Sequence, residues 1–393
     1  MRAGGNSAPE AETPAAAKRK ERDKMDQAIS RRIEQLKQLL ADDDLRCYLI
    51  PPSPDLYYLT GLVKEQSERL FLAAVWPGGP LLFLVPELES AWVRDNVGEC
   101  ILFTWKEGEN PYRLAKNLLG ACNAASGRVA VGGALSTMHF LRLTSEVGDV
   151  TFVDGSPMTS VLRAVKGPDE QDALKASSKI ADEVMAEVPS LIAPGVTEKQ
   201  IAGTILSLFL KKGATQPWVI VASGPNASYP HHESGERKIA DGDVVMVDTG
   251  ALYKGYNSDI TRTFCLGPPP KEVVHAYDAI LHAQEAAFKR AIEGVPVREV
   301  DVAARKALLE EGLLQHVLHR TGHGIGLEIH EPPYASDVDE TILEPGMAFT
   351  VEPGVYFEGR FGIRTEDVVI VSEGGAPPQI LNSSPKKLEL RKP

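Results

Sequence analysis

Two stretches decide the architecture: Val244–Phe264, VVMVDTGALYKGYNSDITRTF, and Phe349–Val371, FTVEPGVYFEGRFGIRTEDVVIV. Each has β-type runs on either side of a turn-rich centre, the pattern of a hairpin. The first is expected to fold near Tyr253-Lys254-Gly255, the second near Glu358-Gly359-Arg360. Folding there sets Asp248 close to opposite Asp259, and Glu352 close to opposite Glu366. Cross-strand neighbours have Cβ atoms roughly 4.5–5.5 Å apart, and paired hydrolytic metal ions lie roughly 3.5–4 Å apart. Opposed carboxylates therefore stand at the separation needed to clamp and bridge two cations.

The surroundings separate these acids from ordinary surface charge. Asp248 ends the apolar run Val244-Val245-Met246-Val247, and Glu352 follows Phe349-Thr350-Val351. Such strands read as buried, and buried carboxylates are costly unless compensated. Two divalent ions balance four carboxylates, with His323 as a neutral fifth donor. Gly322 and Gly324 flank that histidine, and glycine lets a backbone approach a site closely. Any one of these acids, taken alone, reads more readily as a solvated strand end. Five donors on two agreeing hairpins read as a dinuclear metal site. Four carboxylates and one imidazole, without thiolate, favour manganese or cobalt, with zinc as a third choice.

Working outward, 393 residues are too many for one ordinary core and point to two domains. A net charge of −12 repels phosphate backbones and anionic surfaces, so neither nucleic acid nor membrane is expected as a partner. Cys47, Cys100, Cys122 and Cys265 show no CxxC spacing and read as free thiols of a cytoplasmic protein. No apolar run is long enough to span a bilayer, and the N-terminus lacks a secretory pattern. Residues 1–18, rich in Ala, Gly and Pro, are expected to form a disordered tail. Residues 19–165 alternate helix and strand patterns as a mixed α/β domain, opening with a helix from about Lys18 and including Leu56–Leu59 as a strand. A Gly-Pro break at Gly167-Pro168 opens the domain of residues 166–393. Its first helix is expected to run to about Leu191, and Thr197 with Gln200 forms a capping box for the next. Helices followed by an acidic hairpin occur twice there, as if in two related halves.

DTGALYKGYNSDITRTF, HRTGHGIGLEIHEPP, TVEPGVY and GIRTEDVV resemble successive blocks of the pita-bread metallopeptidases. Within that family they are most similar to the proline-specific branch, prolidase (Xaa-Pro dipeptidase) and Xaa-Pro aminopeptidase. The first 160 or so residues resemble its creatinase-type N-terminal domain, mainly through DLYYLTGL. The resemblance implies an α+β fold: a C-terminal pita-bread catalytic domain of two αβ halves with antiparallel sheet, preceded by a smaller mixed α/β domain. It implies two divalent ions, one held by Asp248, both bridged by Asp259 and Glu366, the second completed by His323 and Glu352. A water or hydroxide between them would be the nucleophile, with Glu352 shuttling protons. His330 would support the tetrahedral intermediate, and His231 and His319 would line the substrate pocket. Arg364, on the same strand face as Glu366, would steady that carboxylate and approach the substrate. His232, His275, His282 and His316 read as structural. The first reading is a cytoplasmic, homodimeric enzyme cleaving Xaa-Pro dipeptides; the second is an Xaa-Pro aminopeptidase acting on longer peptides. A methionine aminopeptidase-like enzyme and a non-catalytic peptide-binding module follow behind.

Overall fold

The structure, a computed structural model, describes residues 14–390; most of the tail expected at residues 1–18 lies outside them. The chain divides into two compact units that part between Leu162 and Arg163.

The first unit opens with helix α1 (Pro14–Asp42), which begins at Pro14 rather than at about Lys18. Its sheet comprises β1 (Tyr48–Ile50), β2 (Leu72–Val75), β3 (Leu81–Pro86), β4 (Cys100–Trp105), β5 (Gly127–Val131) and β6 (Val150–Asp154). The strand order is β4-β3-β2-β1-β5-β6. Pairing is antiparallel at β1–β2 and β2–β3 and parallel elsewhere, a mixed sheet with crossover helices. The stretch expected as a strand at Leu56–Leu59 is instead helix α2 (Pro54–Thr60). Ser53 accepts the Leu56 N–H as its cap, Pro54 occupies the first turn, and Gly61 ends it in the left-handed region. Those local signals override the apolar run. Helices α3 (Ser90–Val97), α4 (Pro111–Ala121), α5 (Thr137–Glu146) and α6 (Ser156–Ala164) complete the set, the last running past the division.

The second unit begins its helices with α7 (Pro168–Met185) and a short α8 (Val188–Leu191). The single helix expected here is broken before Pro189, which cannot continue a hydrogen-bonded turn. Helix α9 (Glu198–Lys211) carries the expected capping box of Thr197 and Gln200. Next come β7 (Thr215–Ser223), β8 (Val244–Tyr253), β9 (Tyr256–Asn257) and β10 (Ile260–Leu266). Lys254 and Gly255 both have positive φ, 51° and 81°, and Tyr253 pairs with Tyr256. This is the two-residue turn whose twist suits a hairpin.

After α10 (Lys271–Phe288) and α11 (Arg298–Glu310) come β11 (Gly322–Gly324), β12 (Glu331–Ala335), β13 (Ala348–Val351) and the hairpin β14 (Gly354–Phe357) with β15 (Phe361–Arg364). Strands β16 (Asp367–Ile370), β17 (Gln379–Ile380) and β18 (Glu389–Leu390) finish the chain. Two antiparallel arrays result, β10-β8-β7 with β18 at its edge, and β12-β11-β13-β16-β17. One core, around Val184, Ile205, Phe209 and Val247, packs α7 and α9 against the first array. Another, around Ile280, Val300, Phe349 and Val369, packs α10 and α11 against the second.

Candidate metal centre

Register decides which acids meet. In the first hairpin Asp248 pairs with Thr261 and Thr249 with Ile260, so Asp259 lies diagonally from Asp248 rather than opposite. The two-residue turn is tighter than the expected one and shifts the partner by one side-chain step on the same face. In the second hairpin Val351 pairs with Asp367, and Gly354 with Arg364. The same register carried across the interruption sets Glu352 opposite Glu366.

Asp259, His323 and Glu366 each bring one donor atom to within 4.8 Å of the others, and all three are buried. His323 Nε2 lies 3.8 Å from Asp259 Oδ2 and 3.3 Å from Glu352 Oε1. The glycines beside His323 are required by contact: a Cβ on Gly322 would fall 1.9 Å from the Thr350 oxygen, and one on Gly324 2.3 Å from the Glu331 oxygen. Asp248 completes the ring of acids but turns one oxygen to Arg364 Nη2.

Supporting bonds fix the orientation of these donors. His323 Nδ1 donates to the Gly324 carbonyl at 3.1 Å, leaving Nε2 as the lone-pair atom facing the acids. Thr261 Oγ1 donates to Glu366 Oε2 at 2.7 Å, and Thr350 Oγ1 donates to Glu352 Oε1 at 3.2 Å. Arg364 was expected to steady Glu366. Its charge does favour the ionised form of Glu366, but its nearest ion pair is with Asp248, its Nε stands 4.0 Å from Glu352 Oε2, and its hydrogen bond toward Glu366 runs through Thr261, Nε donating to Thr261 Oγ1 at 3.2 Å. Tyr356, which sequence reasoning missed, accepts from Arg364 Nη1 at 2.6 Å and lies 2.8 Å from His319 Nε2.

The protonation energetics of the bare site are those of crowded anions. Burial, then the charges of Glu366, Asp248 and Glu352, hold the Asp259 carboxyl well above its usual range. Burial, then Glu352 and Asp248, does the same to Glu366. Burial also pushes Glu352 up to about 7 and His323 down to about 3. Asp248 Oδ1 and Asp259 Oδ1 are buried and accept no hydrogen bond, although buried acceptors are almost always paired. Orphaned oxygens, mutually repelling carboxylates and an oriented imidazole lone pair fit divalent cations, which take such oxygen and nitrogen donors.

The acids open into a cavity of about 910 Å³. His231, His319, His330 and Arg364 line it, with Trp218, Ile220 and Ile329 among its apolar wall. The His323 and His330 ring centroids are 3.9 Å apart. The histidines read as structural behave differently: His232 is held by Glu198 at 2.9 Å, and His316 stacks on Phe357 with centroids 4.0 Å apart. Besides Tyr356, the sequence did not reveal Thr261, Asp301 or Glu331. Asp301 Oδ1 accepts the Thr321 N–H and hydroxyl at 2.9 and 2.7 Å, anchoring the histidine strand. An acid in the first turn of α11 and an acid following His330 were the only signals available.

An antiparallel αβ platform carrying a carboxylate-imidazole cluster defines a metallohydrolase. Residues 172–373 match the model of metallopeptidase family M24, and residues 32–165 that of the creatinase/prolidase N-terminal domain. The chain belongs to metallopeptidase family M24, and its fold is the two-domain, pita-bread arrangement expected from the sequence. It is 39% identical over 355 residues to the "Probable dipeptidase PepE" of Mycobacterium tuberculosis, covering 89% of this chain and 94% of that one. It is 30% identical over 350 residues to the "Xaa-Pro dipeptidase" of Pyrococcus furiosus, covering 88% and 97%. Among solved structures, dipeptidase PepE from Mycobacterium ulcerans superposes with a TM-score of 0.87 at 36% identity, covering 93% of this chain and 99% of that one.

Proposed function

We propose that the protein is a dinuclear-metal peptidase hydrolysing the bond before proline, with Xaa-Pro dipeptides as its substrates. The observation that carries this is the convergence of Asp259, His323 and Glu366, with Glu352 and Asp248, in a cavity large enough for a small peptide. The relative named Xaa-Pro dipeptidase supports the choice of substrate. Asp248, Asp259, His323, Glu352 and Glu366 would hold the ions, manganese or cobalt by donor chemistry. When bound, such ions polarise the scissile carbonyl and make water a nucleophile at neutral pH.

The remaining chemistry falls to side chains. Glu352 takes a proton from the attacking water and returns one to the departing proline nitrogen, the work of a carboxylate placed beside the reacting atoms. His330 donates to the oxygen that gains charge in the tetrahedral state. Arg364 holds Asp248 in place and, with Tyr356, orders His319. His231 contacts the peptide from the cavity wall. Why proline suits such a site follows from its amide, which has no N–H for an enzyme to hold; recognition must use the ring and the free termini.

Four free thiols support a reducing, cytoplasmic setting, and no helix among the described residues is long and apolar enough to cross a membrane. A homodimer rests on the family resemblance alone. The test is turnover by manganese- or cobalt-loaded protein of an Xaa-Pro dipeptide, an Xaa-Pro-Xaa tripeptide and a Met-Ala peptide. Cleavage of the dipeptide alone is the expected result. Cleavage of the tripeptide makes it an aminopeptidase, release of Met a methionine aminopeptidase, and no turnover with metal bound a binding module.

A further inference from the structure

His231 lines the cavity, yet among the described residues its ring makes no hydrogen bond, so its place depends on the backbone that carries it. That backbone is organised by Glu198, a fully buried carboxylate in the first turn of α9. Glu198 Oε1 accepts the Ser223 N–H at 2.8 Å and the Ser223 hydroxyl at 2.6 Å. Asn226 Nδ2 donates to both its oxygens, at 3.1 and 3.2 Å. Glu198 Oε2 also accepts the Gly235 N–H at 3.2 Å and lies 2.9 Å from His232 Nε2. Residues on both sides of His231 are thus gathered onto one carboxylate, twenty-five and more positions earlier in the chain. Burial works to raise the Glu198 pKa, but the bonds from Ser223, His232, Gly235 and Asn226 outweigh it and hold it below the usual range.

The two consecutive histidines therefore serve different partners. His232 turns to Glu198, and His231 is left to the cavity. From the other side Arg364 Nη1 donates to the Pro230 carbonyl at 3.4 Å, so the segment is held between the latch and the arginine of the metal centre.

We propose that Glu198 and His232 form a latch that presents His231 to the substrate: both are positioning residues, and His231 is the group that touches the peptide. The proposal rests on the peptidase reading and deepens it, adding residues outside the cavity to the determinants of peptide binding.

A double-mutant cycle on manganese-loaded protein with an Xaa-Pro dipeptide tests it. Misplacing a contact group by about an ångström can cost up to about a hundredfold, so His232→Ala should lower kcat/KM at least about tenfold. His232→Asn, which keeps a donor, should recover much of that loss. The double variant of His231→Ala with His232→Ala should be no worse than His231→Ala alone, because residues acting through one another are not additive. Additive losses, or an unaffected His232→Ala, overturn the latch. Glu198→Gln should behave like His232→Ala; should its burial prevent folding, the half-buried His232 carries the test alone. A crystal structure of His232→Ala gives a readout independent of turnover, with the His231 ring expected to leave the cavity wall. An unmoved ring overturns the latch even in a protein that cleaves no Xaa-Pro peptide, a result that separately ends the functional reading.

Discussion

Arg364 joins three parts of the centre through one guanidinium. Its Nη2 pairs with Asp248, its Nη1 donates to Tyr356 Oη at 2.6 Å, and its Nε donates to Thr261 Oγ1 at 3.2 Å. A lysine could neutralise Asp248 but has no planar fork to serve the other two partners. Arg364→Lys is therefore expected to lower metal affinity or kcat/KM by about 10–100-fold, the usual cost of losing a group that orients a ligand. Metal titration and steady-state kinetics on the same preparation check this; unchanged values in both would show that charge alone suffices. At this scale the donors were legible because each stands in an unusual local setting: an acid ending an apolar strand, a histidine between glycines. Thr261 and Tyr356 were not, because their partners lie on other strands. The Thr261 hydroxyl meets Glu366 across 105 positions of sequence, and no local pattern marks a threonine in a strand as a buried donor. The pairing of Arg364 with Asp248 was hidden for the same reason: two positions along a strand share a face, but the opposing strand supplied a nearer carboxylate.

Among the elements, the hairpins were legible and their registers only in part. Lys254 with φ 51° and Gly255 with φ 81° make the first turn one step tighter than its sequence suggests, which moves Asp259 to the diagonal. Gly359, with φ 66°, sits in the three-residue loop between Phe357 and Phe361, where the second turn was expected. The loop between β11 and β12, which carries His330, has a less visible anchor. Glu331 accepts from Lys166 Nζ at 2.8 Å and from Arg163, with all three side chains buried. Burial works to raise the Glu331 pKa, but Lys166 and Arg163 outweigh it and hold it below the usual range. A depressed carboxylate contributes stability above its unfolded value, roughly 4.3, and that contribution fades as pH falls through the lower folded value. Glu331→Gln leaves Lys166 buried without its counter-charge, at a cost of about 3–5 kcal/mol. The melting temperature of the variant should therefore lie well below that of the parent at pH 7, with the gap closing as the pH is taken below about 4. Parallel melting curves across that range decide it; a gap that stays constant would show that the charge of Glu331 is not what holds the loop.

Over the whole molecule, the candidate metal centre lies where the two arrays of the second unit meet, and this placement makes a regional prediction. Asp248 and Asp259 come from the β8–β10 hairpin, while His323, Glu352 and Glu366 come from the β11-β13-β16 array. Contacts to backbone carbonyls already join them: the Glu366 N–H donates to the Thr261 carbonyl at 3.1 Å, and the buried Arg262 donates to the Glu366 carbonyl at 2.7 Å. Four acids drawn from both arrays oppose that junction until cations compensate them. That the chain holds two units was legible from its length and a change of pattern, while the Gly-Pro break at Gly167-Pro168 stands shortly past the division between Leu162 and Arg163. That the acids meet between two arrays was not legible, since it depends on packing of strands more than a hundred positions apart. Cation binding at a hundred times the dissociation constant adds about 2.7 kcal/mol, and roughly 2–4 °C of melting temperature accompanies each kcal/mol in a unit of this size. Chelation should thus lower the melting temperature by about 5–10 °C, and excess manganese should restore it. Hydrogen exchange gives the sharper reading, because local opening reports which elements lost their support. Amides of β8, β10, β13 and β16 should exchange faster in the chelated protein, while those of β1, β3 and β5 in the first unit keep their rates. Uniform acceleration through both units would mean that cations stabilise the chain without residing at this junction, and unchanged exchange throughout would mean that the five donors hold none.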